Sequence, residues 1–383
     1  MKRNAGLLGT VALVAALAPL PSMWAPRTGS ALPAGEVAAA GNAAAGIWRF
    51  AVSGDSRNCG DIVMPAIAAS VRASGAAFYW HLGDFRKIYD FDEDMQHEPE
   101  HTATPMTIIQ YESSAWQDVI DNQIGPFGSL PVFLGIGNHE TIPPKTRLEY
   151  VAAFADWIHS PPVARQQLAD DPHDHQARAY FHWREQGVDF INLDNATPDQ
   201  FDDAEMHWFE RVLERDAADA SLPAIVVGMH EALPDSLAFD HSMSNSPAGV
   251  ESGRRVYADL LRAQNEARKH VYVLASHSHY FMDGIFNTPY WREHGGVLPG
   301  WIVGTAGAVR YALPEHADQA RHAQTKVYGY LLATVNPPGE SAGAIRFEFV
   351  PLQEQDVPKE TLSRFKPDFV HWCFSENADP GAK

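Results

Sequence analysis

The chain has 383 residues, 45% of them apolar and 20% charged, enough to bury a large core in one α/β domain or two smaller ones. Its formal net charge is −19. So acidic a protein repels polyanions, which argues against nucleic acid or an anionic membrane surface held by a general basic field.

The first residues read as an export signal. Lys2 and Arg3 give a basic start, Ala5 to Leu20 is apolar, and Pro19 and Pro21 end the run. The stretch is too short and broken for a comfortable membrane span. A signal over residues 1–25 is expected, cleaved after Ala25 or Ala34, with a retained anchor as the alternative. Residues 26–46, rich in Ala, Gly, Pro and Ser, read as a flexible leader. The expected location is therefore secreted or periplasmic. Cys59 and Cys373 are the two cysteines. In an exported protein such a pair invites a disulfide between the loop after the first strand and the C-terminal tail; two unrelated thiols are the alternative.

From Trp48 onward, strand-like runs recur at 48–53, 77–82, 131–136, 188–193, 223–228, 271–275, 301–304, 328–335 and 344–350. Helical spacing of apolar residues predicts helices over 62–74, 114–124, 146–157, 204–218 and 253–269. Strands alternating with helices argue for an α/β layered fold, and the late strands without helices between them for antiparallel members of one sheet. The domain is expected to span 47–351, with irregular insertions at 85–113 and 159–180 that could form lids. Residues 352–383 are expected to wrap the surface.

Five of the apolar runs end abruptly in residues that bind metals. WRFAVSGDSR delivers Asp55, AFYWHLGDF delivers Asp84, and PVFLGIGNHE delivers Asn138 and His139. AIVVGMHE delivers His230, and VYVLASHSH delivers His277 and His279. Carboxylate oxygen and imidazole nitrogen suit hard and borderline cations. Ligands of open α/β sheets collect at the carboxyl ends of strands. The pattern points to one metal centre and to a metal-dependent hydrolase.

The order GD, GDxx, GNHE, an isolated His after an apolar strand, and xHxH resembles the calcineurin-like metallophosphoesterase superfamily, and within it the purple acid phosphatase-like branch. The likeness runs over about residues 48–350 and includes VDFINLDNAT, the AEMHWFERVL helix and GWIVGTAGA. It implies a layered sandwich of two mixed β-sheets flanked by helices, a single catalytic domain, and two divalent or trivalent ions of iron, zinc or manganese. By position, Asp84 would bridge both ions, Asn138, His230 and His277 would complete one site, and Asp55 and His279 would belong to the other. His139 would bind no metal; it would stabilise the phosphoryl group and act as general acid.

The chain departs from that pattern in its first motif, where Arg57 stands in place of a ligand. A guanidinium offers no lone pair to a metal. Arg57 either binds a phosphate oxygen or pairs with an acidic neighbour such as Asp61 or Asp84. The Tyr expected three residues after Asp84 is replaced by Lys87, leaving Tyr89 or no residue as fourth ligand. Arg86 and Lys87 raise the same choice between substrate contact and local pairing. His173, His175 and His182 read as a surface patch, Asp194 as part of a turn, and His81 as a hydrogen-bonded core residue. Glu140 reads as a group that orients a neighbouring ligand, and Glu231 as either such a group or a metal ligand. His207 and Trp208 read as packing and surface residues, Tyr280 and Phe281 as core or as a wall of the active site.

The resulting expectation is an exported phosphatase or related phosphoesterase. Metal-bound hydroxide would attack a small phosphate mono- or diester in line, with Asn138, His139 and Arg57 stabilising charge. No stable membrane partner is expected. The alternatives are a non-catalytic metal- or phosphate-binding protein on the same scaffold, and hydrolysis of a carboxylic ester or amide.

Overall fold

The computed structural model describes residues 46–196 and 199–379. In chain order its strands are β1 (Trp48–Ser53), β2 (Tyr79–His81), β3 (Val132–Leu134), β4 (Phe181–Glu185), β5 (Val188–Asn192), β6 (Ala224–Gly228), β7 (His270–Ala275), β8 (Phe281–Asp283), β9 (Gly300–Val303), β10 (His322–Gln324), β11 (Tyr328–Val335) and β12 (Ile345–Leu352). They form two mixed sheets, ordered β12-β11-β1-β2-β3 and β10-β8-β9-β7-β6-β5-β4. In the first, β1 to β3 run parallel, and β11 and β12 add antiparallel to β1. In the second, β5, β6, β7 and β9 are parallel and β4, β8 and β10 antiparallel.

This is the expected layered sandwich, and its late strands are antiparallel as expected. The strands β4, β8 and β10 escaped the sequence reading. The last two have three residues each, too few to display an alternating pattern.

Aromatic side chains from both sheets fill the space between them. Phe50 and Phe78 meet Phe190 edge-on at 5.0 and 5.1 Å, and Phe133 stacks on Trp183 at 3.8 Å. These rings contribute large buried areas with defined geometry, so the two sheets, and hence their strand ends, are held in register.

Both insertions are more ordered than expected. Residues 85–113 contain the helices Glu93–His97 and Pro99–Ala103 and the start of Ile108–Asp118. Residues 159–180 contain the helix Pro161–Asp170. Its prolines occupy the first helical positions, where the missing N–H has no partner to lose. After β12 the chain forms the helices Lys359–Leu362 and Pro367–Ser375. The second carries Cys373 to a disulfide with Cys59, immediately before the helix Gly60–Ser74. The expected export signal, and the leader apart from Gly46, lie outside the described residues. Among the described residues no helix is long and apolar enough to cross a membrane.

Candidate metal centre

The parallel strands β1, β2 and β3 of one sheet and β6 and β7 of the other end at a common edge. There the chain turns sharply: Asp55, Asp84 and His277 have φ of 62°, 64° and 64°. This left-handed conformation is sterically costly for residues bearing a β-carbon. Hydrogen bonds between the turns hold it. Asp55 N–H donates to the Gly83 carbonyl at 3.0 Å and Ser56 N–H to the Asp84 carbonyl at 2.9 Å. His277 N–H donates to Asp55 Oδ2 at 2.8 Å, and His139 N–H to Asp84 Oδ1 at 3.0 Å. Gly137 is needed because a β-carbon there would overlap the Asp84 carboxylate.

Two groups of potential ligand atoms result, each within 4.8 Å: Asp84, His230 and His277, and Asp55, Asp84 and His279. Asp84 is common to both. In the first group, His230 Nδ1 donates to the Leu82 carbonyl at 3.0 Å, so that in the neutral ring Nε2 is the lone pair. That nitrogen lies 3.0 Å from His277 Nδ1, 3.1 Å from Asn138 Oδ1 and 3.3 Å from Asp84 Oδ1. These electron-rich atoms are reconciled by a hydrogen on His230 Nε2 or His277 Nδ1, or by a bound cation. Burial opposes charge on His230, but Asp84 and Asp55 outweigh it and push its pKa up to about 10. Positive charge is thus favoured at this point, as a proton on His230 or as a bound ion, and the oxygen and imidazole donors fit a hard or borderline cation.

The second group is filled differently. His279 Nδ1 donates to the Val309 carbonyl at 2.6 Å, so its Nε2 is also bare. Arg57 NH2 donates to that nitrogen at 2.6 Å. Arg57 NH1 reaches His139 Nε2, and Arg57 Nε lies 3.6 Å from Asp84 Oδ2. The guanidinium is buried among these atoms. Asp55 Oδ1 lies 3.3 Å from His279 Nε2 and accepts no hydrogen bond among the described residues. The donor types suit a metal, yet the space between them holds a cationic side chain.

The surrounding residues set the charges and orientations. Glu140 accepts the N–H groups of Asp84 at 2.8 Å, Phe85 at 2.9 Å and Gly137 at 2.7 Å. Burial, reinforced by Asp84, raises its pKa to about 7. His139 Nδ1 donates to the Lys87 carbonyl at 2.7 Å and turns Nε2 toward Arg57. Burial, partly countered by Asp84, lowers the His139 pKa to about 4. Burial opposes ionisation of Asp84, but His139, His230 and Arg57 outweigh it and hold its pKa well below the usual carboxylate value.

The structure thus brings Asp55, Arg57, Asp84, Asn138, His139, His230, His277 and His279 together. Tyr89 does not point inward: it is 61% exposed, with its ring beside that of His139 at 5.4 Å. Arg86 is buried among Asp61, Asp94 and Asp118, and Lys87 pairs with Glu93 at 2.8 Å. Asp61 is therefore engaged by Arg86, and the acidic neighbour of Arg57 is Asp84. His173 and His175 are exposed, but His182 is not a surface residue. It is buried between Asp170 at 2.5 Å and Asp189 at 2.7 Å, because β4 pairs with β5 and sets Asp189 opposite Arg184, diagonal to His182. Asp194 pairs with Arg147 at 2.9 Å, His81 is buried, and Tyr280 and Phe281 are core residues.

Two residues at the centre escaped the sequence reading. The ring of Tyr311 stacks on His279 at 3.9 Å, and His241 lies 5.4 Å from His277 and 5.0 Å from Tyr311. His241 ends the single-turn 3₁₀ helix Phe239–His241, too short to give a periodic signal. Tyr311 follows the GWIVGTAGA stretch by three residues, and that nearness is its one sequence cue.

No family model matches the sequence, and no curated protein matches it. Solved structures do. The purple acid phosphatase PPD1 from yellow lupin (Lupinus luteus) seeds aligns with a TM-score of 0.50 and 15% identity, over 80% of this chain and 52% of that one. The present chain thus spans about half the length of the lupin protein. GAP50, the anchor in the inner membrane complex of Plasmodium, aligns with a TM-score of 0.47 and 12% identity over 80% and 84% of the two chains. PhoD aligns with 0.47 and 14% identity over 79% and 71%. The likeness to the lupin protein shows that this chain shares the fold of that purple acid phosphatase.

Proposed function

We propose that this protein is an exported, metal-dependent phosphoesterase acting on small phosphate mono- or diesters, with iron, zinc or manganese as the candidate ions. One observation carries the reading. His277 Nδ1, Asn138 Oδ1 and Asp84 Oδ1 converge on His230 Nε2 at 3.0, 3.1 and 3.3 Å, on the fold of a purple acid phosphatase. A cation held there would acidify water and neutralise phosphate oxygens.

The protein's own groups complete the chemistry. Asp84, fixed in its turn by Glu140 and by His139 N–H, would anchor the cation. Arg57 would hold a phosphate oxygen by charge-assisted hydrogen bonds. His139, its ring set by the Lys87 carbonyl, would serve as general acid in its imidazolium form, taking up at Nε2 the proton that it passes to the leaving alcohol oxygen. The bond from phosphorus to that oxygen breaks as the bond to water oxygen forms. Export is supported by the basic-apolar N-terminal stretch and by the Cys59–Cys373 disulfide, a bond favoured in oxidising compartments.

The test is hydrolysis of an aryl phosphate monoester and diester by protein loaded in turn with manganese, zinc and iron, before and after chelation. Chelator-sensitive turnover is expected, and metal-loaded protein inert toward both esters would overturn the reading. That second result would favour binding without turnover, a reading that the Arg57 guanidinium in the second ligand group supports.

A further inference from the structure

We infer that Arg57 itself occupies one of the two cation positions, so that the centre holds a single metal ion, on Asp84, Asn138, His230 and His277. The inference rests on the phosphoesterase reading for its use, but it makes a separate claim about stoichiometry.

The two ligand groups differ in what their atoms face. Around His230 Nε2 stand Asp84 Oδ1, Asn138 Oδ1 and His277 Nδ1, with no arginine or lysine among them. Around His279 the corresponding lone pair is already satisfied, because Arg57 NH2 donates to Nε2 at 2.6 Å. The same guanidinium reaches His139 Nε2 and places Nε 3.6 Å from Asp84 Oδ2. Its charge is therefore set between the shared carboxylate and the imidazole that a second ion would need.

Arg57 cannot yield that position by losing its proton, because guanidinium stays charged at any accessible pH. Nor can it ligate a metal. A second cation would have to displace the side chain and stand beside a buried like charge, which low-dielectric surroundings make costly. Placement on the turn between β1 and the helix Gly60–Ser74 also restricts retreat. Cys59, two residues on, is tied to Cys373, and the Asn58 N–H donates to Asp92 at 2.6 Å. The ring of Tyr311, stacked on His279 at 3.9 Å, covers the same side.

In this arrangement the guanidinium does part of a second ion's electrostatic work. It compensates Asp84 and offers a fixed positive charge to a phosphate oxygen across from the metal, with a planar donor geometry that a spherical ion lacks. It cannot acidify water, so that task falls to the single ion.

The test is elemental analysis of the full mature chain saturated with manganese and, separately, with zinc, for the parent and for Arg57→His and Arg57→Ala. The parent is expected to hold one ion per chain. Arg57→His, which adds an imidazole beside Asp55 and removes the buried charge, is expected to hold two. Its manganese form should show the exchange-coupled resonance of a pair, where the parent shows an isolated ion. Two ions in the parent overturn the inference without any variant. One ion in both folded variants overturns it as well, since Arg57 would then not be what excludes the second. A two-ion parent that hydrolyses aryl phosphate leaves the function standing; a one-ion parent without turnover leaves the stoichiometry standing and removes the function.

Discussion

Glu140 clamps the turn that presents Asp84. Its Oε2 accepts Asp84 N–H at 2.8 Å and Gly137 N–H at 2.7 Å, and Oε1 accepts Phe85 N–H at 2.9 Å. One carboxylate thus ties the exits of β2 and β3 together and satisfies three backbone donors. Glu140→Ala is expected to leave those buried donors unpaired, at about 1–3 kcal/mol for each one that finds no water. It should also weaken metal binding by about 10–100-fold, the usual effect of losing a group that orients a ligand. Glu140→Gln should fall between. Calorimetric metal titration beside thermal unfolding checks this; unchanged affinity in a destabilised Glu140→Ala would limit the residue to a structural part.

Asp84 and His139 separate ligand from proton donor. Asp84 belongs to both ligand groups, whereas His139 Nε2 contacts Arg57 and lies 3.7 Å from Asp84 Oδ2. Asp84→Ala is expected to empty the centre and abolish turnover. His139→Ala is expected to keep its metal and lose about 10²–10⁴-fold in turnover, the range for a general acid. Elemental analysis with aryl phosphate kinetics distinguishes them. Loss of metal from His139→Ala would show that the division of roles is wrong.

The disulfide closes a very long loop, with 314 residues between its ends in sequence. In the chain-entropy description such a cross-link stabilises by about 6 kcal/mol, often less in practice. Cys59→Ser with Cys373→Ser, or reduction of the parent, should therefore lower the melting temperature. Because Cys59 lies two residues from Arg57, the loosened turn should also raise KM for a phosphate ester. A melting curve indifferent to reductant contradicts the first expectation.

His182 supplies a pH signature remote from the metal ligands. Burial alone would lower its pKa, but Asp189 and Asp170 outweigh burial and raise it from 6.5 to about 9. A folded-state pKa above the unfolded value means that the imidazolium stabilises the fold. That contribution is complete below pH about 6.5 and fades as pH rises through about 9. At about 1.4 kcal/mol per pKa unit, it amounts to about 3 kcal/mol. Denaturant unfolding of the parent and His182→Gln across pH 6 to 10 should show a stability gap that narrows above pH 9. A gap independent of pH would place the effect in packing instead.

Much of the fold was legible because its signals are local. The runs ending in Asp55, Asp84, Asn138, His230 and His277 each combine a β-forming stretch with an abrupt polar stop, and all are strand exits in the structure. The helix Asp203–Ala218 was read nearly to its ends from apolar spacing. Proline misled the reading at Pro161 and Pro162, since the same residue breaks a helix interior and opens a helix N-terminus. The short strands β8 and β10 carry no pattern of their own and exist through their neighbours in the sheet.

The sequence by itself determined the chemistry on offer: carboxylates, an amide and imidazoles at strand ends, one cysteine pair, and an arginine where a ligand was expected. Tertiary structure alone decided which of these atoms meet. Arg57 and His279 are 222 residues apart, His230 and Leu82 148, and the pairing of each nitrogen with a carbonyl or a guanidinium follows from how two sheets face one another. Residue type and local periodicity report what a segment can form. The direction of a lone pair depends on hydrogen bonds to partners that no local pattern encodes, and those directions leave the His230 cluster open to a cation and close the His279 cluster with Arg57.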